Sequence, residues 1–190
     1  MENKNRLAAA AAAGLLVLGS LLVPSDISAQ KNEVGYRKLM LGYTREQIKQ
    51  IVNDNFIGEY TVDEERSDAI VLRKMYVHKP IILISLIFDH KNVLYKINVK
   101  IKKVTGTPPP DEVVKVIEDK YGAPQKRTIS NTLDIMAYWY LDNNRYEIFF
   151  HNIASWDKFD VQYTDTVAQK QKEDYDREMN RKPVNRELDF

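Results

Sequence analysis

The residues that could carry chemistry are few. Histidine occurs at positions 78, 90 and 151, and cysteine is absent. A metal centre needs several converging nitrogen, sulfur or carboxylate ligands. None of His78, His90 and His151 has a second histidine at ligand spacing, and His90 falls in the turn sequence Asp89-His90-Lys91-Asn92. A serine nucleophile needs exposure and a glycine-flanked elbow. Ser85 lies inside an apolar run, and Ser130 and Ser155 have no such glycines. The seven glycines are scattered, so no phosphate-cradling loop exists. The carboxylate pairs Glu64-Glu65 and Asp111-Glu112 suit a solvated loop and a helix start; hydrolysis would need two carboxylates facing each other across a cleft. The expectation is therefore a non-enzyme with no catalytic, cofactor-binding or metal-ligating residue. A hydrolase with an unrecognised carboxylate site is the reading furthest from it.

Binding chemistry is better represented. Met136 to Leu141 and Tyr146 to His151 flank Asp142-Asn143-Asn144-Arg145, and asparagine tolerates the left-handed geometry of a tight hairpin turn. If Asn143-Asn144 forms that turn, Trp139 opposes Ile148 and Leu141 opposes Tyr146 on one face. Tyr138 then opposes Phe149, and Tyr140 opposes Glu147, on the other. Both faces carry aromatics, so one forms core and the second is covered by the chain or by a partner. Tyr138, Tyr140 and Phe149 are candidate partner-binding residues on this ground. Lys96, Lys100, Lys102 and Lys103 form a basic edge or face, suited to solvent, an acidic partner or anionic headgroups.

The elements that position these residues follow from periodicity. Thr44 and Gln47 form a capping box ahead of Ile48, Ile51 and Val52, predicting a helix over about 44–54. Gln30 to Lys38 reads as an ordered lead-in or loose arm, and Ile57 to Ser67 as a loop or weak strand. Strands are predicted at Ala69–Val77, at Ile81–Phe88 (apolar throughout, hence buried on both faces) and over the alternating segment around Tyr95–Lys102. Pro110, Asp111 and Glu112 open a second helix with Val113, Val114, Ile117 and Tyr121 inward and Gly122 and Pro124 at its stop. Trp156 to Tyr163 supplies a further strand. From Thr164 the chain is charged, with Val167, Gln171, Tyr175 and Met179 spaced by four, which predicts a surface helix or frayed tail over 164–190. Tyr175 joins the candidate partner contacts.

The two helices align without gaps, Glu46-Gln47-Ile48 with Asp111-Glu112-Val113 and Ile51-Val52 with Val116-Ile117, and each is followed by a hairpin. The fold expected is α+β: two helix-plus-antiparallel-meander units, about 39–104 and 105–163, within a domain over 30–163.

The N-terminus has the order of a secretory signal: Lys4 and Arg6, an alanine- and leucine-rich run to Val23, Pro24, then a small-residue site at Ala29. Cleavage is expected after Ala29, placing the chain in a periplasm or outside the cell, with no cysteine for a lipid anchor. The formal net charge of +1 draws the chain toward neither nucleic acid nor membrane, so nucleic acid is not an expected partner and any membrane contact is peripheral.

Leu39-Met40-Leu41-Gly42-Tyr43-Thr44-Arg45-Glu46-Gln47-Ile48-Lys49-Gln50-Ile51-Val52 resembles the opening of SmpA/OmlA (BamE-like) domains, roughly L-x-x-G-M-[ST]-x-x-[EQ]-V. The match rests on Leu39, Gly42, Thr44, Gln47, Ile48 and Val52. Tyr43 replaces the usual methionine, which makes it a further candidate partner contact. The helix-ending glycine and proline come only after the second helix, as Tyr121-Gly122-Ala123-Pro124. Tandem copies of that architecture resemble β-lactamase-inhibitor-protein-like folds. The resemblance implies a bacterial envelope setting and non-catalytic binding of other proteins. The expected function is thus an exported protein-binding or scaffold module whose partner is another envelope protein. The alternative is a small-ligand or lipid carrier with a cavity between sheet and helices.

Overall fold

The computed structural model describes residues 33–74, 82–130 and 134–181. The segment 1–29 expected as a secretory signal, His78 and the end of the tail after Arg181 lie outside them.

The described chain opens with an ordered ribbon, the first of the two forms expected of the lead-in. β1 (Gly35–Tyr36) pairs with β2 (Leu39–Met40), and Val34 and Leu39 are buried. Gly35 is required here: a Cβ at that position would lie 2.0 Å from the carbonyl oxygen of Leu39. The same peptide is clasped from afar, since the Tyr121 hydroxyl accepts from the Gly35 N–H (3.2 Å) and donates to the Gly35 carbonyl (3.1 Å).

α1 (Arg45–Asn55) starts as its sequence dictates. The Thr44 Oγ1 accepts from the Gln47 N–H and the Gln47 Oε1 accepts from the Thr44 N–H, a closed capping box that satisfies two donors a helix start otherwise leaves open. Ile48 and Val52 face inward.

Eight antiparallel strands form one sheet in the order β3-β4-β5-β6-β10-β9-β8-β7. They are β3 (Tyr60–Glu65), β4 (Ala69–Lys74), β5 (Ile82–Phe88), β6 (Leu94–Lys102), β7 (Lys126–Ile129), β8 (Ile135–Leu141), β9 (Tyr146–Asn152) and β10 (Lys158–Asp165). α1 precedes the meander β3–β6, α2 (Pro110–Tyr121) precedes β7–β10, and the last strands of the two meanders pair at the centre of the sheet. With the C-terminal helix α3 (Thr166–Arg181), the architecture is the expected α+β one.

The polar stretch before Ala69, expected as a loop or weak strand, is the edge strand β3, exposed beyond Tyr60 and carrying a bulge between Val62 and Glu64. Two details differ from the sequence expectation. A second short edge strand, β7, has every residue exposed and so leaves no apolar pattern to read. β5 is not buried on both faces: Ile84, Leu86 and Phe88 are buried, while Leu83, Ser85 and Ile87 are only partly covered. Its outer apolar residues neighbour the buried Ala69 and Val71 of β4 across the strand pair.

One face of the sheet carries the core. Ile84, Leu86, Ile97, Val99, Phe159, Val161, Ile148, Phe150, Ala137 and Trp139 meet Ile48 and Val52 of α1 and Val114 and Ile117 of α2 in a single cluster. Trp139, fully buried, donates its indole N–H to the Gly122 carbonyl at the end of α2 (2.8 Å), so the helix is fixed to the sheet by both packing and a hydrogen bond.

α3 is capped by a residue that the sequence pattern did not single out. Asp165 is 4% exposed; its Oδ1 accepts from the Val167 and Ala168 N–H groups, and its Oδ2 accepts from Arg145. The helix rests on β6 and β10. Its apolar stripe does not make that contact: Val167, Tyr175 and Met179 are exposed, and Lys172, paired to Asp176, lies beside Tyr95 instead.

Candidate functional site

The outer face of the sheet, opposite the core, is built by strict alternation. Tyr138 opposes Phe149 and Tyr140 opposes Glu147, with Trp139 against Ile148 and Leu141 against Tyr146 on the core side. This is the register the turn residues predict. Asn143 and Asn144 hold φ of 51° and 67°, and the Arg145 N–H donates to the Asp142 carbonyl, as a primed hairpin turn requires.

On that outer face the rings form a continuous ladder. Tyr140 and Tyr138 stack with centroids 6.2 Å apart, Tyr138 and Phe149 at 4.6 Å, and Phe149 and His151 at 5.4 Å, with interplanar angles of 13°, 23° and 25°. Trp156, in the turn between β9 and β10, closes the row edge-on to His151 at 5.5 Å. The first four rings are half-buried and Trp156 is 45% exposed. His151 and Trp156 were missed by sequence reading. His151 is legible from its two-residue spacing to Phe149, whereas Trp156 sits in a turn, where strand parity gives no direction.

Polar groups border the ladder. Lys126 of β7 places its ammonium 5.5 Å from the Tyr138 ring centroid. On the other side, Lys100 opposes Asp160, which opposes His151, and Lys102 directly opposes Lys158. Partial desolvation raises the Tyr140 hydroxyl pKa, and the Glu147 carboxylate and Tyr138 raise it further, so it stays a proton donor well above neutral pH.

The other candidates are placed differently. Tyr43 is half-buried and packs against the core; its carbonyl accepts from the Leu94 N–H, while Gly42, at φ 88°, donates to the Leu94 carbonyl. The tyrosine thus has a packing role that the sequence left unassigned. Tyr175 stacks flat on His90, centroids 4.3 Å apart and planes 8° apart, and remains 39% exposed. The structure brings Tyr138, Tyr140 and Phe149 together and leaves Tyr43 and Tyr175 apart from them.

Between α1 and the β3–β4 edge lies a half-open cleft of about 230 Å³, lined by Lys49, Val52, Asn53, Val62, Glu65 and Ile70. Lys49 and Glu65 pair across it at 2.6 Å, and Arg45 also reaches Glu65. These two cations lower the Glu65 carboxyl pKa below the usual range, Lys49 having the larger effect. Among the described residues no group of three or more His, Asp or Glu side chains is placed to hold a metal ion, and no helix is long and apolar enough to cross a membrane.

No protein-family model matches this sequence. No curated protein matches it significantly either. Among solved structures the chain is similar to a DUF4309 family protein (YjgB) from Bacillus subtilis subsp. subtilis str. 168, with 16% identity, 71% of this chain and 88% of that chain covered, and a TM-score of 0.39. At that level of likeness no property of that protein is carried over to this chain.

Proposed function

We propose that this chain is a non-catalytic, exported protein-binding module of a bacterial envelope, and that the ring ladder on the outer sheet face is its binding surface. The observation that carries the reading is the ladder itself. Five rings in one row, Tyr140, Tyr138, Phe149, His151 and Trp156, stay partly exposed on the face opposite a core that already holds Trp139 and Phe150. Aromatic residues gathered on a rigid sheet are the composition of interface centres, where they supply large contact area at low entropy cost.

The carrier alternative finds less support. The cleft beside α1 is smaller than the roughly 300 Å³ at which ligand pockets begin, and an ion pair spans it. Two larger hollows, about 610 Å³ beside Arg45, Arg66 and Asn92 and about 490 Å³ beside Trp156 and Lys158, are wide open to solvent and lined mainly by polar residues, so neither encloses an apolar ligand.

The test is co-isolation. The tagged full chain is recovered under mild extraction from cells of its own source, alongside a Tyr138→Ala/Phe149→Ala variant. A stoichiometric protein partner retained by the wild type and lost by an equally folded variant supports the reading. A wild-type chain recovered alone, or a partner retained equally by the variant, overturns it.

A further inference from the structure

This inference rests on the binding role just proposed for the ladder and names the chemistry of its partner. We infer that the ladder receives an acidic protein segment, with carboxylates seated over the lysines that flank the rings and the rest of the segment lying across the ring edges.

Two observations lead there. The first is the charge of the face. Lys96, Lys100 and Lys102 on β6, Lys158 on β10 and Lys126 on β7 bracket the ladder from both sides in the strand order β6-β10-β9-β8-β7. The negative groups among them are Asp160, between Lys100 and His151, and Glu147, opposite Tyr140; Asp157 adjoins in the Trp156 turn. Elsewhere the chain pairs its cations readily, through Arg37, Arg45, Lys49, Arg73, Lys74 and Arg127 among others, yet none of the ion pairs found among the described residues uses these five lysines. Lys102 and Lys158 even stand directly opposite each other, an arrangement a sheet ordinarily avoids because like charges repel across strands. An outside carboxylate would relieve it.

The second observation is the way the rings stack. Tyr138, Phe149 and His151 stack on one another at small interplanar angles, so each covers part of a neighbour's face. The face of an aromatic ring is electronegative and its edge electropositive. Covering the faces therefore leaves the positive field of the lysines less opposed, and a tyrosine hydroxyl can donate to a carboxylate. The same geometry argues against single-stranded nucleic acid, which binds by stacking bases on open ring faces. A lipid surface would call for protruding apolar side chains, and of the ladder rings only Trp156 is exposed, the other four being half-buried.

The experiment uses the full chain and a fluorescent peptide of about twenty residues, alternating Asp or Glu with Gly or Ser, followed by anisotropy at low and physiological salt. The expected result is saturable binding that weakens with salt. Lys102→Glu/Lys158→Glu and, separately, Lys126→Glu should each weaken it at least tenfold, and Tyr138→Leu several-fold. Lys115→Glu, on the exposed side of α2, should leave it within twofold. All variants are checked for unchanged melting. The inference is overturned by no peptide binding, by equal weakening in Lys115→Glu, or by tighter and equally lysine-dependent binding of phosphatidylglycerol vesicles or oligothymidylate. If the peptide fails while Tyr138→Ala/Phe149→Ala still loses the co-isolated partner, the acidic partner falls and the binding face stands; if that variant keeps the partner, the binding face falls as well.

Discussion

Neighbouring residues on β8 should differ sharply in what they hold together. Trp139→Phe keeps a ring in the core but removes the indole N–H that satisfies the Gly122 carbonyl at the end of α2. Gly122 lies at the exposed end of α2, so water can take the place of the lost donor and the cost is that of one net hydrogen bond, about 0.5–1.5 kcal/mol. The lost half of the indole leaves a void in a fully buried site, adding roughly 1 kcal/mol at about 24 cal/mol per Å³. The sum is about 1.5–2.5 kcal/mol, and Trp139→Ala should reach roughly 3–5 kcal/mol or more. Tyr138→Ala, one residue away on the outer face, loses ring stacking and the Lys126 contact, together about 1–2 kcal/mol. Urea unfolding followed by circular dichroism measures all three. With a slope of about 1–3 kcal/mol per molar, Trp139→Phe should lower the midpoint by roughly 1 M at unchanged slope. Hydrogen exchange should show the amides of α2 losing protection first. A cost below about 1 kcal/mol for Trp139→Phe, or a larger loss for Tyr138→Ala than for Trp139→Ala, would refute the assignment of the two faces.

The remaining predictions concern the parts that hold the sheet's ends. Thr44→Ala opens the capping box and should cost about 1 kcal/mol, read from the same urea midpoint. Gly42→Ala places a side chain at φ 88°, where space is free but the backbone is strained, and should cost about 1–2 kcal/mol in the same assay. Glu65 has its pKa lowered by Lys49 and Arg45. Its contribution to stability is present above the unfolded carboxylate pKa of about 4.3 and is lost as pH falls through the lower folded value. Wild type should therefore exceed Glu65→Gln in thermal stability at neutral pH, and the gap should close below about pH 4.

Much of this architecture was legible because it obeys local rules. The capping box at Thr44, the proline start and glycine stop of α2, and the Asn143-Asn144 turn each set an element's boundary from a few adjacent residues, and the turn alone fixed which aromatics share a face. What was not legible depends on contacts distant in sequence. β7 is an edge strand with every side chain exposed, held by backbone pairing that leaves no inward apolar face to read. The ribbon at Gly35 is held by Tyr121, which no spacing argument reaches. The stripe Val167, Tyr175 and Met179 was read correctly as a helical face, but periodicity does not say which face docks, and Lys172 and Asp176 lie on the docked side. At the binding face, Tyr138, Tyr140 and Phe149 followed from strand parity, while Trp156 and the opposition of Lys102 to Lys158 required the register of β10.

The central claim is that the ring ladder faces a protein partner, and site-specific photo-cross-linking addresses it most directly. A photoreactive phenylalanine analogue is placed at Tyr140 in one version of the full chain and at Val116 of α2, exposed on the far side of the fold, in another. After irradiation in intact cells, a discrete protein adduct from position 140 and none from position 116 is the predicted result. No adduct from position 140, or the same adduct from both positions, would contradict it.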